Sequence, residues 1–249
     1  MTRSSTPAYP DQTKRFSSDW MTMSRTVPGE SSTSRIDCTP EARVTKSLLG
    51  YGVIAGPFYV VCSVVQGLLT PGFSFATDSW SLLSLGGAGW VHITVFVLTG
   101  LMTAAAAIGY RRHLPSGPGR TAWVFLLVYG ILLIAAGAAL PDATGAGFSV
   151  HGMLHLLAGG LGFVAFAVWS FALARRLRRT SVPASATSII VGALLLVGFV
   201  AIAVSGGSAV ATIALTVVVI LAWAWLAVVS VWMYREAAEA GRIVVPAAG

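Results

Sequence analysis

Six stretches of the chain are apolar almost throughout and contain no Asp, Glu, Lys or Arg: Leu48 to Leu69, Trp90 to Gly109, Thr121 to Leu140, Gly152 to Ala174, Thr187 to Val204 and Ala209 to Met233. Each is roughly 18 to 25 residues long, which spans a hydrocarbon core about 30 Å thick at about 1.5 Å per residue. A soluble helix of that length carries charge on its wet face, so six such stretches in succession exclude a soluble domain. Helices are required because a helix pairs its own backbone polar groups where no water reaches them. The predicted fold is all-α, a polytopic bundle of six transmembrane helices.

Small and polar residues inside the stretches mark inward faces. The first carries Gly52, Gly56, Tyr59, Ser63 and Gln66 at steps of four, three, four and three, which is one side of a helix. Gly52 and Gly56 permit close approach, and Tyr59, Ser63 and Gln66 offer hydrogen bonds to a neighbour. Pro57 predicts a kink. The fourth stretch is preceded by His151, and His155, Gly159, Gly162 and Phe166 continue that stripe. The second brings His92 with Phe96, Thr99 and Thr103, whereas the sixth is Val, Ala, Leu and Trp almost throughout and predicts a lipid-facing periphery anchored by Trp232 and Tyr234.

Charge sets the expected orientation. All sixteen Lys and Arg fall before the first stretch, after the last, or between stretches two and three and four and five. The connections Thr70 to Gly89, Pro141 to His151 and Ser205 to Ser208 have none, and two of them carry a lone acid, Asp78 and Asp142. Basic connections stay in the cytoplasm, so both termini are expected there (N-in/C-in). The net charge of +7 then belongs to a face against anionic lipids at the cytoplasmic surface of the bilayer. No basic patch interleaves with aromatics, which argues against nucleic acid as a partner.

Residues 1–46 are rich in Ser, Thr and Pro and predict a disordered cytoplasmic tail, followed by a membrane domain over 47–234 and a short cytoplasmic tail over 235–249. No apolar core follows the charged amino terminus, so the first stretch is expected to act as an uncleaved anchor, with Met21 and Met23 as alternative starts. Cys38 and Cys62 share no face and no ligand spacing. The excess of Arg over Lys, with abundant Ala and Gly, points to a GC-rich bacterium and its plasma membrane.

This topology gathers Gln66, His92, His151 and His155 in one outward layer, with Asp78 and Asp142 in the loops above it. His113 lies in a basic loop and is expected to be solvated. Between Thr70 and Gly89, the run DSWSLLSLGGAGW predicts a short helix capped at Asp78 or Ser79 and stopped at Gly86 and Gly87, a lid over the polar layer.

Gly56-Pro57, SLLSLG before Gly89-Trp90, Pro141-Asp142 and HGMLHLLAGGLGF resemble domain-of-unknown-function family 998 over about Leu48 to Trp232. The resemblance implies a six-span membrane protein of bacteria or archaea and brings no activity with it.

Three functional classes fit the outward layer. In a structural, accessory or sensory component, which leads, His151 caps the fourth helix, His155 and His92 bond between helices, and the two acids cap turns. A metal-dependent hydrolase at the outer leaflet would hold a divalent ion such as zinc on His151, His155 and His92, with Asp142 or Asp78 completing the shell and Ser79, Ser81 or Ser84 adding a hydroxyl. The run lacks the Glu of the zinc-protease motif. A proton or small-solute carrier would relay through imidazole and carboxylate, although the spans hold no acid or base in their middle and cytoplasmic halves. Haem needs axial histidines such as His92 with His151 or His155, and neither a second pair nor an attachment motif supports it.

Overall fold

The computed structural model describes residues 35–245, so most of the amino-terminal tail lies outside the described residues. Helices α1 (Pro40–Leu69), α2 (Gly89–His113), α3 (Ala122–Ala138), α4 (Val150–Leu177), α5 (Val182–Val204) and α6 (Ala209–Ala240) account for nearly all of it. Strand β1 (Arg35–Cys38) pairs with β2 (Arg242–Val245). Five helices are long and apolar enough to cross a membrane; α3, at 17 residues, is shorter.

The helix ends have local causes. Thr39, Ser149, Ser181 and Ser208 each accept a hydrogen bond from a backbone N–H three residues on, and Pro40 and Pro183 occupy first-turn positions where no N–H is needed. The Thr39 cap starts α1 at Pro40, seven residues before the boundary expected at 47, and α6 continues past Met233 to Ala240. Ser149, rather than His151, caps α4. At the far end of α3 the chain turns extended at Ala139, two residues before Pro141, since proline disfavours a helical residue ahead of it. α1 runs unbroken through Pro57.

Each helix packs on its neighbours in sequence, and α6 returns to close on α1, so the six form a ring. Every Lys and Arg from Arg43 to Arg242 stands at one end of this ring, the basic end. Asp78 and Asp142 stand at the other, the acidic end. The expected inward face of α1 is buried at all five positions, Gly52, Gly56, Tyr59, Ser63 and Gln66. Its partner is α6: a Cβ on Gly56 would stand 2.8 Å from the Trp223 Cβ, and Gly52 faces Ser230. One face of α6, with Trp223, Leu226, Val229 and Ser230, is buried in the bundle, while Val210, Ile213, Val217, Leu221 and Val228 on its other side are exposed.

At the basic end, α2 and α6 run far enough to meet. His113 is no solvated loop residue; its Nε2 lies 2.9 Å from the Glu236 carboxylate. Lys46 lies over the Tyr234 ring, and Arg112 donates to the Thr45 hydroxyl.

Candidate functional site

Sequence order brings helix ends together at the acidic end, where they border a half-open cavity of about 630 Å³. That lies within the range of about 300–1,000 Å³ usual for small-molecule sites. Its walls are mostly apolar, with Leu133 of α3, Phe163 of α4, Phe199 of α5 and Leu215 of α6. Tyr59, Tyr129 and Trp223 also line it, their rings in contact at centroid distances of 5.7 Å for Tyr59 with Trp223 and 5.6 Å for Tyr129 with Trp223. Behind them Phe166 and Trp169 are fully buried, which closes the bundle toward the basic end. The rim is polar: Ser79, Ser81 and Asp142.

The lid is a single 3-10 turn, Trp80–Ser84, ending at Leu85 and Gly86, where φ is +74° and glycine is favoured. Trp80 stacks on Tyr59 at 5.9 Å. Gln66 fastens the segment, its Nε2 donating to the carbonyls of Leu83 at 2.9 Å and Ala88 at 3.2 Å. Gln66 therefore holds the connection in place rather than facing the cavity. Asp78 caps no helix; its carboxylate accepts from the Ser74 N–H at 2.9 Å and closes the preceding turn.

His151 stands apart, whereas His92 and His155 both pack against the Phe96 ring, at centroid distances of 4.8 and 6.2 Å. His155 is buried and lines the cavity, its Nδ1 within 2.8 Å of the Ala136 carbonyl and 2.9 Å of the Ala139 carbonyl. The last carbonyls of a helix lack intrahelical partners, so His155 satisfies the end of α3. Because both partners are acceptors, the proton sits on Nδ1. His151, one turn earlier, is exposed, since α3 has already ended at its level and no helix covers it. His92 is fully buried, packed edge-on against Phe96 at 4.8 Å, with neither ring nitrogen partnered among the described residues. Its expected interhelical hydrogen bond is absent there. Among the described residues no three His, Cys, Asp or Glu side chains stand together as a metal site.

Asp142 sits on the cavity rim and accepts from the Ser149 N–H at 3.0 Å, tying the connection to the start of α4. The Ser149 hydroxyl, and after it the backbone N–H, hold this carboxyl below the usual range. A folded-state value below the unfolded one means that its contribution to stability is complete above about pH 4 and disappears as pH falls through the depressed value. Gly152 lies directly under the carboxylate, where a Cβ would collide with it.

Two features of the site were not legible as such. Gly159, expected among the packing glycines, lines the cavity with nothing within 4 Å of a Cβ placed on it. Ser63, expected to bond across the interface, donates instead to its own helix at the Tyr59 carbonyl.

Comparison with known proteins gives one match. A family model described as "Protein of unknown function (DUF998)" covers residues 53–232. No curated protein and no solved structure matches the chain.

Proposed function

The chain belongs to the family described as Protein of unknown function (DUF998), and from that premise we propose an accessory or sensory component of the bacterial plasma membrane that binds an amphipathic small molecule in its outward cavity. The protein crosses the bilayer six times with both termini in the cytoplasm. α3 serves as the sixth span although its 17 residues rise only about 25 Å, a shortfall that local thinning of the bilayer absorbs. The basic end lies against anionic lipids of the inner leaflet.

The observation that carries this function is the cavity itself: about 630 Å³, apolar walls, a polar rim at one end and an aromatic floor at the other. Apolar walls with a few placed polar groups suit a ligand with a hydrocarbon body and a compact head. The closed aromatic floor supports binding rather than passage. Among the described residues no three His, Cys, Asp or Glu side chains stand together to support a hydrolytic metal centre.

Native mass spectrometry of the protein taken from its own membranes in mild detergent checks the function. A discrete 1:1 adduct, extractable into organic solvent, is the expected result; bare protein that also takes up no added amphiphile would refute it. Topology has its own test, with Cys38 and Cys62 replaced by Ser and single cysteines placed at the exposed positions Thr144 and Ser116. A membrane-impermeant maleimide should label Thr144→Cys in intact cells and Ser116→Cys only after permeabilisation. The opposite pattern would invert the orientation.

A further inference from the structure

We propose that the cavity selects amphiphiles whose head is a primary ammonium group over those whose head is a carboxylate. The inference rests on the binding function above and assigns the chemistry of the head.

His155 supplies the first observation. Its Nδ1 proton is committed to the carbonyls of Ala136 and Ala139, so in the neutral ring Nε2 is a lone-pair acceptor. Nε2 has no partner among the described residues and is not among the polar atoms sealed inside the protein. His155 lines the cavity, and that is where the free lone pair is accessible. A ligand that donates a hydrogen bond completes this site, whereas a head with acceptors alone leaves His155 unpaired.

The charge on the lining is the second. Asp142 is the one ionisable carboxylate among the residues that line the cavity, and no Lys or Arg lines it. The Asp142 carboxylate accepts from the Ser149 N–H through Oδ2 and also from the Ser149 hydroxyl. The Lys and Arg residues from Arg43 to Arg242 all stand at the opposite end of the bundle. An anionic head next to Asp142 meets like charge with no cation on the lining to offset it.

Imidazole acceptor and carboxylate favour the same head, a cation that donates hydrogen bonds, while the aromatic floor suits the hydrocarbon body.

Two sources carry that chemistry, an aminophospholipid of the bilayer and a free long-chain amine. The full chain is reconstituted into phosphatidylcholine nanodiscs, and tryptophan fluorescence is followed on titration at pH 7 with dodecylammonium, dodecanol or dodecanoate. The signal that survives in Gly159→Phe is subtracted as partition into lipid. Dodecylammonium is expected to bind at least ten-fold more tightly than dodecanoate, and Asp142→Asn, which keeps an oxygen for the Ser149 N–H, is expected to shrink that ratio below three-fold. Parallel discs containing phosphatidylethanolamine or phosphatidylglycerol separate the sources: competition by the first alone identifies the aminophospholipid, and competition by neither identifies a free amine. Equal binding of all three titrants would overturn the selectivity and leave the binding function standing. No binding by any of them would overturn both.

Discussion

Gly159→Phe is expected to weaken amphiphile binding at least 100-fold, about 2.8 kcal/mol, while the melting temperature stays within a few degrees of wild type. The separation of the two effects follows from the geometry of one position. A Cβ on Gly159 meets nothing within 4 Å, yet the residue lines the cavity, so a phenyl ring enters space that the ligand needs and the fold does not. Replacing a helix-interior glycine by Phe adds about 0.5 kcal/mol of local helix stability, which offsets part of any crowding. The adjacent glycine has the opposite character. A Cβ on Gly160 would stand 2.6 Å from the Phe199 ring, so Gly160→Phe is expected to disturb the α4–α5 packing itself. Native mass spectrometry reads the adduct and a thermal melt followed by tryptophan fluorescence reads the fold. An adduct of undiminished intensity in Gly159→Phe would place the ligand elsewhere.

These two neighbours show what a single sequence conveys about the bundle and what it withholds. The inward face of α1 was legible because Gly52, Gly56, Tyr59, Ser63 and Gln66 repeat at helical spacing against an apolar background. The face of α6 was not. In lipid an apolar side chain is equally at home against a neighbour or against acyl chains, so Trp223 and Leu226 carry no mark of being buried. His151 and His155 share a stripe in the sequence, but α3 ends beside one and not the other. The cavity depends on where six separate helices stop, and nothing local to Gly159 distinguishes a glycine that faces space from one that faces a ring.

Gly100→Val carries the larger expected cost to stability, about 3 kcal/mol, or roughly 10 °C in the melting temperature for a domain of this size. Gly100 of α2 and Gly130 of α3 face each other, and each excludes a side chain on the other. A Cβ on Gly100 would stand 2.6 Å from the Gly130 carbonyl oxygen, and one on Gly130 would stand 2.7 Å from the Gly100 carbonyl oxygen. Both obstacles are backbone, which no change of rotamer moves aside, so the two helices must part along their length. Helices in a membrane gain little from hiding apolar surface and depend on close van der Waals contact, which makes separation expensive. Parting α2 from α3 also displaces Tyr129 and the carbonyls that hold His155, so the cavity should lose its shape along with the seam. Gly50→Val supplies the control, because a Cβ there meets nothing within 4 Å. A melt in which Gly100→Val and Gly50→Val coincide would show that the α2–α3 contact is not closed at these two glycines.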